Sequence, residues 1–171
     1  MHTQIILKHG FFAALLLLIF TLLSYAVLGT SPANYAIGEI VGYTSIVLSM
    51  IFVFLGIREY RNKSNENISF SRAVLTGLLI ALFPAILFGI YNVVYAEVID
   101  PEFTDKYFNH QLAQMKDTMS AKAFKEAKAE MESQKNLFSK PWFQFIVMFF
   151  TVWLIGIIVS ILSAFVLNRK K

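Results

Sequence analysis

The sequence predicts an all-α, polytopic membrane protein: four transmembrane helices with an amphipathic helical segment between the third and fourth. Three observations lead there. Residues 10–28, 40–57, 73–96 and 141–167 form strongly apolar runs without one Asp, Glu, Lys, Arg or His. Each is about long enough to cross a hydrocarbon core ~30 Å thick at ~1.5 Å of helical rise per residue. The charged residues, 15 Lys and Arg against 11 Asp and Glu, are confined to the connections and tails. A chain of 171 residues therefore reads as a single membrane domain, 1–171. Its spans fall at about 10–28, 38–60, 70–96 and 141–167, with a helical segment at about 100–139.

The first run has Lys8 before it and Ser24-Tyr25-Ala26 near its end, which resembles a signal-peptide cleavage site. It is longer than the apolar core of such a peptide. Its 12 Leu, Ile, Phe and Val residues, at about −0.4 kcal/mol each, favour insertion by roughly 5 kcal/mol. A retained helix is expected.

Small residues mark the faces of the other spans. Gly38, Gly42, Ser45, Ser49 and Gly56 fall on one stripe of the second, and Ala73, Gly77, Ala81, Ala85 and Gly89 recur every fourth residue in the third. Gly156, Ser160 and Ser163 share a face of the fourth. Lipid is as apolar as leucine, so such helices associate through close backbone approach, which small side chains permit. The stripes predict the seams of a four-helix bundle, and a homodimer interface is a second use for them. Asn67 or Ser69 can cap the third helix. Pro84, in mid-span, lacks a backbone N–H and predicts a kink, either a packing kink or a gating hinge.

The connection between the third and fourth spans is the one sizeable polar element. Asp100-Pro101 reads as a cap with proline at the first helical position. Leu112, Met115, Met119, Phe124, Ala127 and Met131 then recur at helical spacing between Lys and Glu. Ser120 can start a second helix, which makes two short helices, and Lys122–Glu126 and Lys128–Glu132 pairs support them. This pattern fits a helical hairpin on the membrane surface or over the bundle, or a Met-rich docking face for a protein partner. Ser139-Lys140-Pro141-Trp142 supplies a cap, a first-turn proline and an interfacial anchor for the last span.

Charge sets the orientation. Lys8 precedes the first span, Arg58, Arg61, Lys63 and Arg72 lie between the second and third, and the chain ends Arg169-Lys170-Lys171. The connection at 29–39 has no Lys or Arg. Positive charge marks the cytoplasmic side, so both termini are expected there and the 100–139 segment outside. Seven lysines at 97–140 oppose this assignment. Tyr25, Tyr35, Tyr43, Tyr91, Tyr95 and Trp142 support it by clustering at the outer ends.

No catalytic, cofactor or metal residue can be named. His2, His9 and His110 are far apart, there is no HExxH, GxSxG or phosphate loop, and the chain has no cysteine. Glu39, Glu97, Asp100, Glu102 and Asp105 gather near the outer face, as solvated acids or as a cation attractor. Asn92 with Tyr91 and Tyr95 can bridge helices through hydrogen bonds or border a ligand pocket. No basic stripe with interleaved aromatics points to nucleic acid.

Several motifs together resemble a known family. They are Gly56-Ile57-Arg58-Glu59-Tyr60-Arg61, then Asn67-Ile68-Ser69-Phe70-Ser71-Arg72-Ala73 and Gly77-Leu78-Leu79-Ile80. Asp100-Pro101-Glu102-Phe103, Met119-Ser120 and Ser139-Lys140-Pro141 extend the likeness over nearly the whole chain. The chain resembles the Bacteroidota membrane proteins known as domain of unknown function 4199. The resemblance implies four helices in a bacterial inner membrane and brings no activity or site residue with it. The resulting expectation is a non-enzymatic accessory, assembly or scaffold protein acting through helix packing and its extracytoplasmic segment. Its expected partners are the lipid bilayer, a protein at residues 100–139 and, in a homodimer, a second copy. A small oligomeric transporter or channel is the alternative.

Overall fold

In the computed structural model, which describes residues 2–64, 68–116 and 118–168, the chain is 91% helix and has no strand among the described residues. The order is α1 (His2–Leu28), a short 3-10 turn (Pro32–Asn34), α2 (Tyr35–Ser49), α3 (Ile51–Lys63) and α4 (Phe70–Val94). A wider π turn (Tyr95–Ile99) then leads to α5 (Phe103–Lys116), α6 (Ala121–Phe138) and α7 (Pro141–Asn168). Four helical stretches are long and apolar enough to cross a membrane: His2–Leu28, Pro32–Lys63, Phe70–Ile99 and Pro141–Leu167. The lipid-facing sides of α1 and α7 expose large apolar residues such as Leu23, Val27, Leu154, Ile158 and Leu162, as a bilayer solvent requires.

α4 is the centre of the bundle. It meets α7 most extensively, then α1 and α3. Its small-residue face makes this possible. Ala73, Gly77, Ala81, Ala85 and Gly89 are all buried. A Cβ on Gly77 would strike Ser160, and one on Gly156 would strike Ala81. Around these contacts sit Leu17, Met50, Val53, Ile57, Ile80 and Val152, each at most 1% exposed. The predicted seams in the third and fourth spans are therefore real helix contacts.

The second span departs from expectation. Only Ser45, Ser49 and Gly56 of its stripe are buried, whereas a Cβ on Gly38 or Gly42 would meet nothing within 4 Å. The span is divided at Met50. Ser45 Oγ donates to the Val41 and Gly42 carbonyls at 2.8 Å, and Ser49 Oγ to Ile46 at 2.7 Å. Hydroxyls that compete for the helix's own acceptors bend it, and two in succession accompany the break. Beyond the break α3 packs into α1, α4 and α7, while α2 leans on α1 and barely touches α7. Pro84, by contrast, lies inside a helix that continues uninterrupted to Val94.

The termini of the elements follow local chemistry. Gly29, at φ 63°, closes α1 by donating its N–H to Tyr25 at 2.9 Å. Ser69 and Ser120 cap α4 and α6, each accepting a backbone N–H at 3.4 Å. The alternative cap Asn67, and Arg169-Lys170-Lys171, lie outside the described residues. Two expected caps are corrected. Asp100-Pro101 forms a turn ahead of α5, because the Asp100 carboxylate is taken by Lys106 at 2.8 Å. Ser139 Oγ turns back to Lys135 at the end of α6, leaving Lys140 to receive the first N–H bond of α7.

Candidate functional site

A chamber of about 710 Å³ opens where α2 stands away from α7, roofed by the α5–α6 hairpin. Its wall comes from α1, α2, the end of α4, the π turn, the hairpin and the start of α7. Along α2 it runs from Tyr35 to Ile46, a depth of about 16 Å at ~1.5 Å per residue. That is roughly half of a hydrocarbon core. Its volume falls in the range of small-molecule sites, about 300–1,000 Å³.

The upper wall is aromatic and polar. Tyr25, Tyr35, Tyr43, Tyr91, Tyr95 and Tyr107 line it with Phe103, Asn92, Gln111 and Gln134. Apart from Tyr43, the rings form a connected net. Tyr95 meets Phe103 edge-on at 5.1 Å and Tyr25 at 6.0 Å, and Tyr35 lies 5.7 Å from both Phe103 and Tyr107. Such edge and tilted arrangements suit the ring quadrupoles. The lower wall is mostly aliphatic and aromatic, with Ile46, Phe88, Val147 and Met148, and Thr21, Ser45 and Thr151 are its hydroxyl-bearing members. Gln144, 6% exposed, is held by a 2.6 Å bond from Nε2 to the Phe138 carbonyl.

The roof is fastened by specific contacts. Tyr107 Oη donates to Glu39 Oε1 at 3.0 Å, joining α5 to α2. Lys135 pairs with Asp105 at 2.6 Å, joining α6 to α5. Phe138 meets Phe108 at 5.9 Å and Phe143 at 5.2 Å, carrying the hairpin onto α7. Burial raises the Tyr107 phenol above its ordinary value, and the Glu39 carboxylate adds to that by opposing the phenolate. The hydrogen bond to Asp100 raises the Lys106 ammonium.

The acidic residues gathered by the sequence do not converge. Glu39 serves Tyr107, Asp100 and Glu102 share Lys106 at 2.8 and 3.3 Å, Asp105 holds Lys135, and Glu97 is exposed. Among the described residues no group of three or more His, Cys, Asp or Glu is placed to hold a metal ion. The histidines also stay apart. His2 meets Thr76 at 2.9 Å, His9 meets Glu59 at 2.8 Å, and His110 stands at the other end of the bundle beside Gln114. Asn92 bonds to Phe88 of its own helix at 2.9 Å, so it bridges no helices. It and its neighbours Tyr91 and Tyr95 face the chamber instead. Tyr35, Tyr107 and Gln144 were missed as members of one site. Gln144, a polar residue in the first turns of an otherwise apolar span, was the visible signal.

The fold and the chamber define a class: a four-span helical membrane protein with a roofed cavity at one end. A family model described as "Protein of unknown function (DUF4199)" matches residues 8–169 of the 171-residue chain. The chain belongs to this family. No curated protein and no solved structure matches it.

Proposed function

We propose that the protein is a non-enzymatic accessory or scaffold protein of a bacterial inner membrane, with both termini cytoplasmic, whose working part is the chamber and its extracytoplasmic hairpin. The observation that carries this reading is the hairpin seated over a wall of aromatic faces and hydrogen-bonding groups. Such a wall suits holding a molecule. The positive charges at Lys8, Arg58, Arg61, Lys63 and Arg72 support placing the opposite end of the bundle in the cytoplasm. A protein partner at residues 100–139 fits the same arrangement, with Met119 and Leu137 exposed on the hairpin.

Orientation is tested by thiol labelling, which is clean because the chain has no cysteine. Lys125→Cys on α6 and Asn62→Cys on α3 both place the thiol at an exposed position. An impermeant maleimide should label Lys125→Cys in intact spheroplasts and Asn62→Cys only after permeabilisation. The reverse pattern would invert the topology. A small oligomeric transporter or channel is a second reading, favoured by the depth of the chamber. Below its floor, however, the bundle is closed by Met50, Val53, Ala81 and Val152. Solute flux in reconstituted liposomes, above an empty-liposome control, would favour that reading instead.

A further inference from the structure

The chamber's charge is one-sided. Among the described residues its lining contains no Lys, Arg or His, and its single ionisable acid is Glu39. A second carboxylate stands close by. Asp100, 5% exposed, gives Oδ1 to Lys106, while its buried Oδ2 has no hydrogen-bond partner. Six tyrosines add their electron-rich faces to the same upper wall. Lys106, outside the lining, is the cation that Asp100 already holds, so the free negative charge of the chamber is that of Glu39. Beside the aromatic faces, in a lining without a cation, it forms an environment that attracts an organic ammonium ion. An anionic head would meet Glu39 with no positive group in the lining to receive it.

The lower wall supplies the other half of the recognition. Ile46, Phe88, Val147 and Met148 make an apolar slot beneath the aromatic tier. The open face of α2 at Gly38 and Gly42 keeps the passage between the two tiers clear. We propose that the chamber binds an amphiphile whose head is an organic ammonium ion, held among the tyrosines beside Glu39, with its alkyl chain running down between α2 and α7. The ammonium group belongs either to a membrane lipid headgroup or to a free alkylamine. This inference rests on the reading of the chamber as a binding site.

The test is isothermal titration of the full-length protein in non-ionic maltoside micelles, corrected for partition into empty micelles. The probes are dodecyltrimethylammonium, dioctanoylphosphatidylethanolamine, dodecanol and laurate. Dodecyltrimethylammonium should bind about ten-fold or more tightly than dodecanol or laurate, the scale of a desolvated cation–aromatic contact. Phosphatidylethanolamine binding alongside it identifies a lipid source, and its absence identifies a free alkylamine. Glu39→Gln should weaken the ammonium probe about ten-fold while leaving dodecanol unchanged. A Cβ at Gly42 meets no atom within 4 Å, so Gly42→Leu extends into the passage. With its thermal unfolding matched to wild type, it should abolish binding of every probe. Equal binding of ammonium, alcohol and carboxylate, all lost in Gly42→Leu, overturns the ammonium assignment and leaves the chamber as a site. No probe binding, or binding indifferent to Gly42→Leu, overturns the chamber as a binding site as well.

Discussion

Tyr107 and Glu39 are 68 residues apart in sequence and share a 3.0 Å hydrogen bond, the hydroxyl of α5 donating to the carboxylate of α2. The bond ties the roof of the chamber to α2, the helix that leans on α1 and stands away from α7. Its energetics are open to direct measurement, because a phenol reports its own ionisation.

Folding favours the neutral Tyr107, whose folded pKa lies above that of the unfolded chain. The stabilisation is full below an unfolded pKa of about 10 and is lost as pH rises through the folded value. Lys106 is raised as well, so its contribution is lost in the same direction at high pH. Tyrosinate absorbance of wild type minus Tyr107→Phe should therefore show one phenol ionising later than a free tyrosine. In Glu39→Gln that phenol should ionise earlier than in wild type, because the opposing charge is gone while the burial remains. An unchanged or later transition would contradict the pairing.

Two glycine substitutions separate seam from wall. Gly156→Ala drives a methyl into Ala81 at the α4–α7 seam, and overpacking there should cost about 1–3 kcal/mol. Gly42→Ala meets no atom within 4 Å. It should be neutral or stabilising by up to about 1 kcal/mol through its better helix propensity. Thermal unfolding in maltoside micelles reads both, and equal losses would mean that α2 is packed after all.

At the other end of the bundle, Glu59 receives His9 at 2.8 Å, Lys8 at 2.9 Å and Lys63 at 2.7 Å. His9 is 6% exposed and its Nδ1 has no partner, so Glu59→Ala leaves the whole imidazole unsatisfied. The loss should be about 1–3 kcal/mol. Lys8→Ala removes only an exposed partner and should cost about 0–1 kcal/mol. Glu59→Gln, which keeps a group able to bond the ring, should fall between them. A larger loss for Lys8→Ala than for Glu59→Ala would show that charge, and not the buried ring, governs this corner.

What the sequence could convey depended on distance along the chain. The four spans, the Ser69 and Ser120 caps and the α4 stripe from Ala73 to Gly89 are local patterns, and the structure keeps them. A stripe of small residues says that something can come close without saying that anything does. Ala81 has Gly156 against it, while Gly42, also in a small-residue stripe, borders a void. The break at Met50 was hidden because serines in membrane helices often bond to their own backbone without ending the helix. Asp100 was misread because a cap and an ion pair compete for one carboxylate, and Lys106, six residues on, won. The chamber was the least legible feature. Its wall joins Tyr25, Tyr35, Tyr95, Tyr107 and Gln144 from separate elements, which no periodicity connects.

The Met50 break also bears on the membrane's electrical profile. Solvent filling the chamber would carry a high-dielectric medium down to the level of Ile46 and Thr151. The insulating layer is then the closed half alone, which from Ser49 to Ile57, the last residue before the charged end of α3, is about 12 Å thick. A transmembrane voltage, worth about 2.3 kcal/mol per elementary charge at 100 mV, would fall across α3 and the adjoining parts of α4 and α7. A molecule in the chamber would sit at nearly the potential of the solution on the hairpin's side, shielded from the gradient by the helices beneath it.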